Sequence, residues 1–489
     1  MPLRGLVLAV VLAATVLAAD APTLDLFLQA GQTNEPASKA ALREIAASWK
    51  NSWTPMIIDI ARLLPPLPGT GAAAEPALTS PGDSGRNSPD SGDPPGAGLR
   101  TDPSLTAGRA LNPGQMARQR LTQFLEKQTK QKFGDDLARW RRWMWTQPYQ
   151  PHPDYARLKA TLYAAIDPRM AQFFQPDMKA TIRLDEIDWG GVKVNGIPPL
   201  VYPKTIPASE ASWLKDNNVV FGIYVDGEAR AYPKRILAWH EMARDKVGGV
   251  ELTVVYCTLC GTVLPYESVA GGKHRVLGTS SLLYRSNKLM FDEETNSLWS
   301  TLEGKPVAGA LTGSGLELKL RSSVTTTWKE WRQLHPDTRV LSLDTGFKRD
   351  YSEGAAYRDY FGTDKIMFEV PSLDSRLKNK AEVLVTLLPQ PLAIATDFLR
   401  KHPVYPLRAG DRSLVVVTTP DGANRIYDTG AVQFPEGGNA ARVTDATGAE
   451  WKFAEDALTN EGRRLARVAA NRAFWFGWYA QFPQTQLVK

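Results

Sequence analysis

Cysteine is nearly absent from this sequence: 489 residues contain only Cys257 and Cys260. Two thiols are too few for a disulfide-scaffold protein or for a zinc site built on paired C-x-x-C motifs. Histidine is also scarce, at five residues. The chain has no G-x-S-x-G, no H-E-x-x-H and no phosphate-binding glycine loop, so hydrolase and nucleotide-enzyme readings lose support. Beyond the N-terminal segment, no apolar run reaches the length of a membrane-spanning helix. The net charge of +6 is small for this length, and Lys and Arg form no block. No nucleic-acid partner is therefore expected.

Hydrophobic content of 43% and charged content of 22% describe a globular chain with enough apolar residues for two or three folding units. Residues 1–21 combine Arg4, an apolar run from Gly5 to Leu17, and Ala18, Ala19 and Ala21. That is the pattern of a secretory signal peptide, so the protein is expected to be periplasmic or extracellular, with no transmembrane segment after processing. An unprocessed segment would instead be an anchor. Residues 22–64 read as helical, with a break expected near Pro55. Residues 65–113 are rich in Pro, Gly, Ser, Ala and Asp and read as a disordered linker, because such a composition cannot bury enough apolar surface to offset its ordering entropy. Helical periodicity returns over 114–186. Trp140, Trp143 and Trp145, with Arg139, Arg141 and Arg142, suit a membrane-surface helix, but the favoured expectation is a helix docked by its aromatic face on the β domain.

From 187 to 489 short apolar runs alternate with turn residues, which makes the whole an α+β protein with a β-rich C-terminal domain. Asp226-Gly227 predicts a hairpin. A helix is expected over Ile236–Val247 and another near Val324–Leu334, with strands at Val250–Tyr256, Thr262–Ser268, Lys273–Leu277, Leu289–Asp292 and Val340–Leu343. The texture of Val219–Glu267 returns in Val383–Asp428, which suggests an internal duplication, with Thr419 opposite Cys257.

Six phrases in order carry a family resemblance: NNVVFGIYVDGEARAYP (217–233), HEMARD (240–245), VVYCTLCGTVLPYE (254–267), SSLLYRSNKLMFDEETNSLWS (280–300), TTWKEWRQLHPDTRVLS (326–342) and FWFGWYAQFPQT (474–485). Together they resemble the exported bacterial and archaeal proteins grouped as domain of unknown function 3179. The resemblance implies an extracytoplasmic domain with a C-x-x-C site and no settled activity. Thr258 stands where the family usually has Pro, and Ala243-Arg244 where its His-Glu motif usually runs toward Asn-Asp.

Three uses compete for Cys257 and Cys260: a local disulfide, a redox pair, or soft-metal ligands. The C-x-x-C closes a loop too short for much entropic stabilisation. The residues after Cys260 look β-like, which argues against a long helix lowering a thiol pKa. The favoured expectation is a soft metal, copper before zinc, held by Cys257 and Cys260 with His240 or Met290 nearby; an extracytoplasmic thiol oxidoreductase is the alternative, and an interaction module with a structural disulfide the third. Tyr284, Arg285 and Asn287 are candidates for holding a polar ligand. Asp292 is expected to share a strand face with Met290 or to begin a turn. Trp475, Trp478 and Tyr479 are expected to seal the core. Substrate and partners are not legible.

Overall fold

The computed structural model describes residues 21–67, 111–387 and 390–489. The leader expected over 1–21 and almost all of the linker expected over 65–113 lie outside the described residues. None of the described helices is long and apolar enough to cross a membrane.

The N-terminal region is helical: Leu24–Ala30, Glu35–Ala47, Thr54–Arg62, Pro113–Thr129, Leu137–Trp145 and Tyr155–Ala164. The expected break at Pro55 falls earlier, across Ser48–Trp53, because proline is tolerated in the first helical turn, where its missing N–H has no partner to lose. Asn112 and Gln115 form a reciprocal capping box that starts the longest of these helices. Trp140 and Trp145 are buried in a core shared with Leu282, Leu289 and Phe291 of the β region, so the aromatic helix does dock there. Buried ion pairs reinforce the joint. Asp188, on strand Ile187–Trp189, receives Arg62 at 2.8 Å and Arg141 at 2.5 Å, and Lys159 Nζ donates to Ile187 O at 3.1 Å.

The β region is built twice on one plan. In the first copy Val219–Val225 and Glu228–Pro233 form a hairpin through Asp226 and Gly227, both at positive φ, as the Asp-Gly signal requires. A short helix (Lys234–His240) leads into the antiparallel meander Met242–Val247, Val250–Cys257 and Thr262–Glu267. The second copy repeats this with Glu382–Thr386, Leu392–Ala395, helix Thr396–Lys401, and the meander Val404–Ala409, Arg412–Thr418 and Asn424–Asp428. Each hairpin is extended on one side by an antiparallel strand (Ser323–Thr327, Asn471–Phe474). A helix then follows (Trp328–Leu334, Trp475–Gln481), and a parallel strand completes the other side (Arg339–Leu341, Gln486–Val488).

The two helices after the extending strands match in detail. Trp331 Nε1 donates to Thr338 Oγ1 and Trp478 Nε1 to Thr485 Oγ1, both at 2.9 Å. Trp328 and Trp475 are both fully buried. Gly222 leaves room for the Trp331 ring, which a β-carbon there would overlap.

Two expected helices were too long. Ile236–Val247 is a helix only to His240, because Glu241 turns left-handed (φ 56°) and Met242–Val247 then alternates as a strand paired with Val250–Val255. In Val324–Leu334 the β-branched Ser323–Thr327 run pairs with Val219–Ile223, and the helix begins at Trp328 under a Thr327 cap. The expected strand Lys273–Leu277 divides: Lys273–His274 pairs with Val269–Ala270, while Leu277 opens the long strand Leu277–Tyr284.

Candidate functional site

The cysteine strand ends at Cys257, and a tight turn carries Cys260 back toward Thr262–Glu267. Cys260 N donates to Cys257 O and Gly261 N to Thr258 O, so the loop closes on itself. The two cysteines are joined as a disulfide, with Cα atoms 5.3 Å apart, and are only 2% and 1% exposed. Their surroundings differ.

Cys260 faces the C-terminal helix Trp475–Gln481. A β-carbon at Gly477 would sit 3.3 Å from Cys260 Cβ, so glycine gives ordinary room for this close approach. Phe474 N donates to Cys260 O at 2.7 Å. Beside them is the turn joining Leu277–Tyr284 to Asn287–Asp292, in which Arg285 and Ser286 both adopt positive φ. Ser286 O lies 3.4 Å from Cys260 Sγ, and Asn287 Nδ2 donates to Gly477 O at 2.9 Å.

Cys257 instead lines a small cavity of about 40 Å³. Its buried polar wall is Glu241, Thr258, Lys288 and Tyr357. Glu241 Oε1 accepts from Thr258 Oγ1 at 2.7 Å and from the Tyr357 hydroxyl at 2.8 Å, while its other oxygen pairs with Lys288 Nζ. Glu241, Tyr357 and Ser281, all facing this cavity, adopt left-handed backbone conformations that cost a non-glycine residue roughly 1–3 kcal/mol each. Ser281 lies in an irregularity between Thr279 and Leu282, where the strand register shifts. The Glu241 conformation is fixed on both sides by Glu241 N to Leu237 O and Tyr256 N to Glu241 O. Helix termination at this residue is what turns its carboxylate toward the cysteine loop.

His240, one residue earlier, is directed elsewhere. Its Nδ1 is 3.0 Å from Pro198 O and its Nε2 is 2.6 Å from the Tyr351 hydroxyl. The carbonyl fixes the proton on Nδ1, leaving Nε2 to accept from Tyr351. Burial pushes the His240 imidazole down to about 4 from 6.5. The unfolded chain then binds a proton that the folded one resists, so stability is full above pH 6.5 and is lost as pH falls toward 4. A shift of this size corresponds to about 3 kcal/mol. Denaturant titrations at pH 7 and pH 4.5 should show that loss in the wild type and a flatter profile in His240→Gln. Equal slopes would refute the assignment.

Met290 packs in the core with Met242, Val255 and Trp299 and is not part of the cavity wall; Met367 is. Asp292 accepts from Thr295 N, Thr295 Oγ1 and Trp299 Nε1, which makes it the anchor of a turn. Arg285 pairs with Glu186 and donates to Ala480 O, tying the turn to the C-terminal helix. Tyr360, whose hydroxyl donates to Leu259 O at 2.7 Å, carries Lys380 Nζ 3.3 Å over its ring, and desolvation takes that lysine down to about 8. Trp475 and Trp478 are buried, as expected of a sealing helix.

Sequence reasoning passed over Lys288, Tyr357, Met367 and Gly477. One signal existed for Lys288, a lysine inside the apolar run NKLMFD, whose six residues are all buried. Gly477 lies in the phrase over 474–485, while Tyr357 and Met367 had no signal.

Sheets repeated on one plan, with a C-x-x-C disulfide sealed between the first meander and the last helix, define a two-repeat α+β protein with a buried thiol site. The family model described as protein of unknown function, domain 3179, matches residues 194–485, and the chain belongs to that family. No curated protein and no solved structure matches the chain.

Proposed function

We propose that this is an extracytoplasmic redox protein in which Cys257 and Cys260 cycle between disulfide and dithiol, with Cys257 as the sulfur that is attacked. The observation that carries this reading is that Cys257, and not Cys260, opens on a cavity walled by a buried Glu241–Lys288 pair. Reduction by an external dithiol begins when its thiolate attacks Cys257 Sγ. The S–S bond breaks, Cys260 leaves as a thiolate and takes a proton, and the donor's second thiolate then releases Cys257 while the donor becomes a disulfide. Glu241 and Lys288 supply a proton-handling pair where water is scarce. Ser286 Oγ and Asn287 Oδ1, on the turn that touches Cys260, are buried without hydrogen-bond partners among the described residues, and a Cys260 thiol gives that turn a new donor. The expected leader and the disulfide both suit an oxidising compartment.

Folded protein treated with dithiothreitol should gain two alkyl groups when alkylated at once, and a sample left unalkylated should regain the disulfide in air once the reductant is removed. Glu241→Gln should slow reduction about 100-fold. Cysteines that become reducible only on unfolding would end this reading.

The dithiol form has a second reading as a copper(I) site, favoured by Met367 on the cavity wall. Copper(I) accepts two thiolates with a thioether. Zinc suits the place less, since no group of three or more His, Cys, Asp or Glu residues able to hold a metal occurs among the described residues. Reduced protein should then take up one copper(I) per chain against a competing chelator, with Met367→Leu weakening uptake and Met290→Leu leaving it unchanged.

A further inference from the structure

Access to Cys257 restricts what can react there. The half-buried lining residues Gly190, Val192, Ile197, Ser281 and Met367 make a largely apolar ring, while Glu241, Thr258, Lys288 and Tyr357 are buried. A volume of about 40 Å³ holds roughly three waters, taking 10–15 Å³ for each. A peptide, a folded partner or an anionic tripeptide thiol does not fit this space without displacing the 357–368 segment. A small neutral molecule does. The apolar ring opposes entry of ions, whose desolvation is costly, while the polar floor can hydrogen-bond a neutral guest that carries oxygen atoms.

The floor is arranged for such a guest. Thr258 and Tyr357 both spend their hydroxyl protons on Glu241. Lys288 is only 6% exposed and pairs with Glu241, which uses one of its three N–H groups, and no hydrogen bond to any other group among the described residues occupies the remainder. These donors lie in the same cavity as the Cys257 sulfur, and a neighbouring ammonium favours the thiolate.

Resting on the redox reading above, we infer that the oxidant of the reduced pair is a small hydroperoxide bound in this cavity, with Cys257 as its nucleophile and Lys288 as the donor to its leaving oxygen. The Cys257 thiolate attacks the outer peroxide oxygen, the O–O bond breaks, and the leaving oxygen takes a proton delivered through Lys288 and Glu241, giving an alcohol or water and a sulfenic acid on Cys257. Cys260 then attacks the sulfenic sulfur, forming the disulfide and releasing water. In total the dithiol loses two electrons and two protons, and the hydroperoxide becomes one alcohol and one water, or two waters from hydrogen peroxide. The structure holds the oxidised product of this sequence. The external dithiol of the redox reading returns it to the start, reaching Cys257 when the 357–368 segment is displaced from the cavity.

The test uses the full chain, reduced, freed of reductant without exposure to air and mixed with hydrogen peroxide in a stopped-flow instrument that follows tryptophan fluorescence. Oxidation should be at least about 100-fold faster than that of free cysteine, and Lys288→Met should lose about 100-fold, the usual effect of removing one donor to a developing oxyanion. Cumene hydroperoxide, too bulky for the mouth, should react at least tenfold more slowly than hydrogen peroxide. Cys260→Ser should stop at a sulfenic acid on Cys257 that dimedone labels, and Cys257→Ser should give no label on Cys260. If Lys288→Met does not fold, Met367→Trp, which narrows the mouth from its rim, should impose the same loss. Oxidation by hydrogen peroxide at the free-cysteine rate, in a protein whose disulfide dithiothreitol still reduces reversibly, overturns the hydroperoxide inference and leaves the redox reading standing. A disulfide that cannot be reduced in the folded protein overturns both.

Discussion

Glu241→Ala should destabilise the protein by about 3–5 kcal/mol, because it leaves the Lys288 ammonium buried without its counter-charge. The same change removes the acceptor of the Thr258 and Tyr357 hydroxyls, so the cysteine loop loses a tie to the 357–368 segment. Removing both charges should cost less than removing one. Glu241→Ala combined with Lys288→Met is therefore expected to recover a large part of the loss, and a double-mutant cycle in urea measures the recovery. If the single and double variants were equally destabilised, the pair would not be the unit that holds this wall.

Glu455→Gln should have a comparable effect in the second copy, again about 3–5 kcal/mol, since it removes the counter-charge of buried Arg467 and leaves buried Arg425 only its longer contact to Glu330. Arg425 is fully buried, with Nη2 2.5 Å from Glu455 Oε1 and Nη1 3.4 Å from Glu330 Oε1, and Arg467 Nη1 reaches Glu455 Oε2 at 3.2 Å. Burial alone would raise the Glu455 pKa, but Arg425, the His335 hydrogen bond and Arg467 outweigh it and hold the carboxyl far below the usual carboxylate range. Such a group stabilises the fold above its unfolded value of 4.5 and loses that contribution as pH falls further. The acid profile should therefore have two parts: a loss between pH 6.5 and 4 that His240→Gln removes, and a steeper loss below pH 4.5 that Glu455→Gln removes. A single transition unaffected by either variant would contradict both assignments.

The duplication relates the two meander loops and the helices that cover them. Thr419 follows strand Arg412–Thr418 as Cys257 ends strand Val250–Cys257, and Thr419 Oγ1 donates to Glu330 Oε2 at 2.8 Å. Glu330 lies on helix Trp328–Leu334, at the position that Gly477 holds on Trp475–Gln481. In each copy, therefore, the helix that follows the extending strand covers the other copy's meander loop. One loop carries a disulfide under a glycine, and the other carries a threonine under a glutamate. The repeat was legible because its hairpins, helix and meander follow the same order of turn signals and apolar runs.

Much else was local and equally readable. The Asp-Gly hairpin, the end of the cysteine strand, the docked tryptophan helix and the sealing role of Trp475 and Trp478 all follow from residues within a few positions of one another. Helix lengths were not, because a strand partner can claim a stretch whose periodicity also suits a helix. Met242–Val247 and Ser323–Thr327 were both decided by pairing with distant strands.

The sequence alone determined that its two thiols, Cys257 and Cys260, would lie together at a strand end, since no other cysteines exist and β-branched runs flank them. Tertiary structure decided what they face. The helix stops at His240, so Glu241 and not His240 turns toward the cysteine loop, while the His240 ring is taken by Pro198 and Tyr351. Lys288, Tyr357 and Met367 reach the same cavity from segments 31 to 110 residues beyond Cys257, and Gly477 closes over Cys260 from the far end of the chain. Backbone conformation is set largely by neighbours in sequence and can be read there, whereas the meeting of these side chains is set by how sheets and helices pack, which no short stretch of the chain encodes.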